Sequence, residues 1–394
     1  MAENRSQQNK ISQRARANLE TPVPLRVNLI RALPNLYHPL HNPTGAINMG
    51  LAHNDLMQND LMEKDLEYGD PHGSRMLRGL VAELMNRHFH PVVPLHFRNI
   101  TVVPGAGAAV WQLIQSLADP GDVALVIGPY YGNFDLDVCV STGVTLAPIY
   151  PHASMEAGVD ETLLESDWTK HKTNAKVLLV TNPRNPHGCC YSIQDMIRIL
   201  MFASKHSLHV IFDEVYGLST FDSASPFEPF TSVLHLPDIE QYIDPQLVHV
   251  VYGMSKDFCM NGLRLASVTL SSMFGYMSTV NDRLAYWFVT TNQQRLSKAY
   301  QQTSSYLQQL GLDFLPSGVG PFIVVDIRRL FEEKMTFALE NAIGEAALVN
   351  GVFVAQGYVF HVLEPGFFRL TYSLEWDSVK KGIDIFDQTI KSFL

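Results

Sequence analysis

The stretch Tyr252-Gly-Met-Ser-Lys-Asp-Phe-Cys-Met-Asn-Gly-Leu-Arg264 decides how the chain is read. It continues a β-branched, apolar run (Val248, Val250, Val251), sets Lys256 just beyond it, and places Arg264 eight residues later. A lysine at the end of a buried strand is costly to desolvate unless its amine has a chemical use, and Schiff-base formation with a carbonyl is one. An arginine nearby suits a phosphate, because its planar fork presents parallel N–H donors. By itself a Ser-Lys pair describes an ordinary loop lysine. Three further segments change that.

The first is Val177-Leu-Leu-Val-Thr-Asn-Pro-Arg-Asn-Pro-His-Gly188, an apolar run closed by an Asn-Pro-Arg-Asn-Pro-x-Gly turn. Its two prolines stop strand and helix alike. In the second, Val210-Ile-Phe-Asp-Glu-Val-Tyr216, a buried strand delivers Asp213 and Tyr216 at its carboxyl end. The third, Glu364-Pro-Gly-Phe-Phe-Arg-Leu-Thr-Tyr372, supplies Arg369, whose guanidinium matches a substrate carboxylate. Together these groups fit pyridoxal phosphate. Lys256 would anchor the aldehyde and act as base, Asp213 would pair with the pyridine nitrogen, and Tyr216 would bond the phenolic oxygen. Arg264 would neutralise the phosphate. The glycine-rich turn Gly105-Ala-Gly-Ala-Ala109 opens a helix, so the amides of Ala106 and Gly107 are expected to cradle that phosphate. One ring of the pair Tyr130-Tyr131, which follows another strand end, is expected to lie over the pyridine face.

These motifs, with Asn42-Pro-Thr-Gly-Ala-Ile-Asn-Met-Gly-Leu-Ala-His-Asn54, Tyr68-Gly-Asp-Pro-His-Gly73 and Pro129-Tyr-Tyr-Gly-Asn-Phe-Asp135, resemble the class I/II aminotransferases of fold type I. Within that superfamily the chain is most similar to the 1-aminocyclopropane-1-carboxylate (ACC) synthase-like branch, over most of its length after about residue 40. The resemblance implies an α/β fold with a large domain built on a mainly parallel sheet and a smaller α+β domain. It also implies a homodimer with the cofactor near the subunit interface. By alignment with the family's motif, Tyr131 and not Tyr130 is the ring expected over the pyridine; Asn185 is expected to share the phenolic oxygen with Tyr216 and to reach the substrate, and His53 and Tyr68 complete the expected substrate-binding set.

The departures from the branch matter as much as the matches. His53 stands where ACC synthases carry a glutamate that helps handle S-adenosylmethionine, and an imidazole is a poor partner for that cation. Pro71 replaces the tyrosine that the family contributes across its dimer interface, so either Tyr68 substitutes for it or the contact is lost. Gly253 and Gly107 replace a serine and a threonine that bind phosphate in the family. ACC synthase activity is therefore not expected. Transamination of an α-amino acid is the first expectation. The alternative is β-elimination of a cysteine-type thioether, since ACC synthase-like relatives include carbon–sulfur lyases of fungal natural-product pathways. A non-catalytic partner protein with this fold is a distant third, because the functional set is retained.

Composition agrees and excludes other classes. A chain of 394 residues suggests more than one domain. The expected division is residues 1–65 as a tail and a segment leading into the site, 66–280 as the large cofactor-binding domain, and 281–394 as a linking helix and small domain. A net charge of -10 argues against nucleic acid. No apolar run reaches spanning length, and the four cysteines point to a reducing compartment, most simply the cytosol. Cys189 and Cys190 lack zinc spacing and read as small apolar residues starting a helix; no metal site is expected.

Overall fold

A computed structural model describes residues 13, 41, 42, 44, 72–152, 157–171, 174–221, 228–260, 266–269, 282–331 and 335–394. Its contacts divide the chain into two units, Met1–Asp70 and Pro71–Leu394, and every element named below belongs to the second. Among the described residues no helix is long and apolar enough to cross a membrane.

The apolar runs become a seven-stranded sheet: β1 (Ile100–Val103), β2 (Val123–Ile127), β3 (Thr145–Ile149), β4 (Ala175–Thr181), β5 (His209–Asp213), β6 (Val248–Gly253) and β7 (Ala266–Thr269). Their order is β1-β7-β6-β5-β4-β2-β3. The pairs from β3 through β6 are parallel, whereas β7 runs antiparallel to both neighbours, β6 and β1. Both faces are covered, which is why these strands read as continuous apolar runs instead of alternating ones. Leu178, Val180, Val210 and Phe212 point into one core. Val177, Leu179, Ile211 and Val251, their alternates along the strands, point into the other.

Helices α1 (Arg75–His88), α2 (Ala106–Leu117), α3 (Glu161–His171) and α4 (Ile193–Lys205) connect or flank these strands. Helix α4 buries Met196, Ile199, Leu200 and Ala203, a spacing that lines up one face. Its start is set by Ser192, whose side chain accepts from the Asp195 amide. Cys189 and Cys190 thus precede the helix instead of starting it. They lie in the turn that leaves the Asn-Pro segment, and both are buried.

The long helix α5 (Asp282–Leu310) leads to a second, wholly antiparallel sheet. It contains β8 (Asp313–Leu315), β9 (Phe322–Asp326), β10 (Ala355–Gln356) and β11 (Phe367–Thr371), in the order β10-β11-β9-β8. Helices α6 (Phe337–Val349) and α7 (Trp376–Lys391) complete this layer. Ile323, Val325, Phe368 and Leu370 of the sheet share a core with Ile343 of α6 and with Ile383 and Phe386 of α7.

The parallel sheet bears the main packing load, so its centre is where truncation should hurt. Leu179 is 0% exposed on β4. Leu179→Ala should lower unfolding free energy by about 2–5 kcal/mol, because the lost contacts leave a cavity. Val349→Ala, at a site 84% exposed, should change it by less than about 0.5 kcal/mol. Urea denaturation monitored by circular dichroism would compare the two midpoints.

Candidate active site

The carboxyl ends of β4, β5 and β6 open onto a cavity of about 220 Å³. Ligands gather at this edge of open α/β sheets because loops diverge there and leave a crevice. Thr181 ends β4, Asp213 ends β5 and Gly253 ends β6, and all three line the cavity. Lys256 enters from the one-turn helix Met254–Asp257 that follows β6 directly. The lysine is solvent-exposed there, and its Nζ lies 5.9 Å from the centroid of the Tyr216 ring. Ala106, Gly107, Tyr131, Asn185 and Tyr216 line the same space.

Asp213 is the most heavily desolvated acid in the cavity wall. Burial pushes its carboxyl up to about 7, against the pull of the Val215 amide at 3.4 Å and of the Lys256 charge. Two further buried carboxylates flank the motif residues. Glu214 faces away from the cavity and accepts from Ser232 Oγ at 2.6 Å and the Val233 amide at 2.9 Å. Asp257 accepts from the Leu218 amide at 2.8 Å and from Ser219 Oγ at 2.6 Å. These two acids tie the segments after β5 and β6 to neighbouring loops, which fixes Asp213 and Lys256 relative to each other.

Helix α2 supplies the candidate anion cradle. Gly105, at φ 99°, turns the chain into the helix and offers no side-chain cap. That backbone region is unfavourable for any residue with a Cβ. The first-turn amides have no intrahelical acceptors and face the cavity end of the helix. A Cβ on Gly107 would lie 2.9 Å from Asp137 Oδ2. A side chain at this point would therefore require the Asp137 carboxylate to turn away.

Tyr131 and Tyr130 have separate fates. Tyr131 lines the cavity, with its ring edge-on to Phe134 at 5.4 Å. Tyr130 is buried outside it and donates to Asp135 Oδ1 at 2.8 Å. Burial raises the Tyr216 hydroxyl above its ordinary range.

Arg369 arrives from β11 of the small sheet. Its Nη1 donates to Asn185 Oδ1 at 3.0 Å, across 184 residues of sequence. That bond leaves the Nδ2 protons of Asn185 to donate. The guanidinium carbon lies over two rings, 5.0 Å from the centroid of Phe322 and 4.3 Å from that of Phe360. Burial lowers its pKa, and its Nε has no hydrogen-bond partner among the described residues. A buried cation with unused donors is poised for an anionic ligand. The strand is held in place by Glu340, whose carboxylate accepts from the Tyr358 amide at 3.0 Å and the Gly366 amide at 2.6 Å.

Of the residues expected from sequence, Lys256, Asp213, Tyr216, Asn185, Tyr131, Ala106 and Gly107 meet in this cavity, and Arg369 bonds one of its walls. Arg264, His53 and Tyr68 lie outside the described residues. Sequence reasoning missed Thr181, Asn133, Asp137 and Ser255 as lining residues, and Phe322 and Phe360 as the arginine's flanks. Thr181 lies inside a quoted motif and Asp137 two residues beyond another, so their position was a signal. The two phenylalanines gave none, because only folding brings them to Arg369.

The donor set can be tested against pyridoxal phosphate on its own chemistry. A buried carboxyl that resists ionisation suits a ring nitrogen, a neighbouring amine suits the aldehyde, and a glycine-opened helix end suits the phosphate. Thr181 Oγ1 is buried in the cavity wall with no hydrogen-bond partner among the described residues, as expected of a wall built for a ligand. The residues fit.

Fold and site together define a pyridoxal-phosphate-dependent enzyme. The chain belongs to the class I and II aminotransferases, whose family model matches residues 46–287. It is 32% identical to human 1-aminocyclopropane-1-carboxylate synthase-like protein 1 over 376 residues, covering 84% of this chain and 74% of the human protein. It is 29% identical to 1-aminocyclopropane-1-carboxylate synthase 2 of Cucurbita pepo, covering 91% and 80%. Among solved structures it is similar in fold to an aromatic aminotransferase from Pyrococcus horikoshii, with TM-score 0.68 and 21% identity over 83% of this chain and 88% of that one.

The raised acid has a measurable consequence. A carboxyl that ionises near 3.8 in the unfolded chain and at about 7 in the fold binds more protons when folded. Its contribution to stability is fully present below about pH 3.8 and is lost as pH rises through about 7. Asp213→Asn should therefore flatten the fall in stability of the cofactor-free protein between about pH 4 and 7. Melting temperatures across that range would show it, and identical slopes in both proteins would contradict the assignment.

Proposed function

We propose that the protein is an aminotransferase acting on an α-amino acid. The carrying observation is the bond between Arg369 and Asn185, which links a desolvated guanidinium to the wall of the cavity that holds Lys256, Asp213 and Tyr216. An amino acid offers the two groups this arrangement addresses: a carboxylate for Arg369 and an amine beside Lys256.

Pyridoxal phosphate, when bound, supplies an electron sink for the pair left at Cα once its proton is removed. The side chains do the rest. Arg369 binds the α-carboxylate through parallel N–H bonds, and the two phenyl rings fix the plane of that fork. Lys256 Nζ removes the Cα proton and can return it elsewhere, being the mobile base in the cavity. Asp213 holds a proton at the ring nitrogen. Tyr216 and the Nδ2 group of Asn185 would hold the phenolic oxygen, and the amides of Ala106 and Gly107, with Arg264 as proposed from sequence, would hold the phosphate. Substrate choice falls to the residues around the side-chain end of the site, among which His53 and Tyr68 are proposed from sequence.

The same proton removal serves β-elimination when Cβ carries a thiolate leaving group, so the product identifies the reaction. ACC formation, which the name of the Cucurbita pepo relative points to, is not proposed here because His53 replaces the glutamate suited to a sulfonium substrate. A product screen with amino acids and cysteine conjugates provides the test. Keto acid formed only with an acceptor present supports transamination; ammonia with pyruvate or free thiol would replace it with elimination. Lys256→Ala should lower turnover by about 10²–10⁴-fold, the usual worth of a positioned base, without changing the far-ultraviolet spectrum. Arg369→Ala should raise KM for the amino acid about 10–150-fold, since a hydrogen bond to a charged group contributes about 1.5–3 kcal/mol.

A further inference from the structure

We propose that His361, Asp135 and Tyr130 form a clasp that positions the carboxylate-binding arginine against the cofactor cavity. His361 Nε2 lies 3.0 Å from Asp135 Oδ2, joining residues 226 positions apart. Tyr130 Oη donates to the other oxygen of the same carboxylate at 2.8 Å. The Tyr130 and His361 rings stack at 4.2 Å with 11° between their planes, so the three side chains close a ring of contacts. The backbone repeats the join. The Tyr130 amide donates to Phe360 O at 3.0 Å, and Tyr150 Oη donates to His361 O at 3.1 Å. Gly132 approaches so closely that a Cβ there would lie 2.1 Å from Val359 O.

Each side of the clasp adjoins a functional group. On the small-sheet side His361 follows Phe360, whose ring covers the Arg369 guanidinium. His361 itself sits at φ 58°, a left-handed conformation that a side chain adopts at some cost and that turns the chain toward Asp135. On the large-sheet side Tyr130 precedes Tyr131, which lines the cavity. His361 and Asp135 are thus positioning residues. They touch neither the cavity nor Arg369, and they hold Phe360 and Tyr131 at a fixed separation.

The inference rests on the reading of Arg369 as the carboxylate site, and the experiment separates the two. Aminooxyacetate and O-methylhydroxylamine both exchange their nitrogen for that of Lys256 at the aldehyde carbon of bound pyridoxal phosphate, forming an oxime and releasing the lysine amine. Only aminooxyacetate carries a carboxylate. The ratio of their trapping rates, followed by cofactor absorbance, reads the carboxylate site without knowledge of the natural substrate. Arg369→Ala should bring that ratio down to the one measured with free pyridoxal phosphate; if it does not, the carboxylate reading fails. His361→Ala and Asp135→Asn should each lower the ratio at least fivefold, and the double variant no further than the stronger single. Should Arg369→Ala collapse the ratio while both clasp variants keep it, or should the two losses multiply in the double variant, the clasp is overturned. Tyr130→Phe keeps the ring stack and removes one bond, so it serves if His361→Ala does not fold. Hydrogen exchange of the cofactor-free His361→Ala protein gives a second readout: peptides covering residues 129–136 and 356–362 should speed up together, and unchanged exchange in both would count against the clasp.

Discussion

The carboxyl of Asp213, buried at the end of the central strand β5, is the constraint from which the site follows. An acid pushed up to about 7 by burial stores an electrostatic penalty in the fold. A cationic ring nitrogen relieves that penalty, which makes the carboxylate a binding determinant as well as a mechanistic one. The strands on either side keep the position dry, and Glu214 and Asp257, bonded outward to neighbouring loops, keep it rigid. Lys256 is treated differently. It sits exposed on a single turn of helix at the cavity, where its amine can be reached by an incoming group.

Arg369 carries the complementary penalty. It is a desolvated cation on a separate sheet, flanked by two phenyl rings and bonded to an amide instead of a carboxylate. Pairing it permanently with an acid would satisfy the charge and close the site to a substrate anion. Asn185 orients the guanidinium without neutralising it. Glu340, a buried acid of the same layer, accepts backbone amides and holds the loop leading into β11. Positive and negative groups are thereby kept apart in a low-dielectric setting, where each is worth more to an incoming ligand than it would be in water.

The sheet strands and the reactive groups were legible in the residues alone, because both are local properties. A run such as Val177–Val180 is apolar at every position only when both faces of a strand are buried, and Asp213 and Lys256 stand at the ends of such runs, where a chemist would look for them. The same local rules placed the helix start a few residues early at Cys189, since an N-cap is decided by which side chain meets the next amides, and Ser192 does so. Distance was settled only by folding. Phe322 and Phe360 approach Arg369 within the small-sheet layer, Asp137 crowds Gly107 beside the large sheet, and His361 meets Asp135 across 226 residues, from one layer to the other. No periodicity records these meetings, because each depends on how separate segments pack and not on the pattern within one segment. The choice between Tyr130 and Tyr131 shows the division most plainly. The sequence offers two adjacent rings of equal chemistry, and the fold separates them by giving one the Asp135 carboxylate and a histidine ring, which leaves the other to face the cavity.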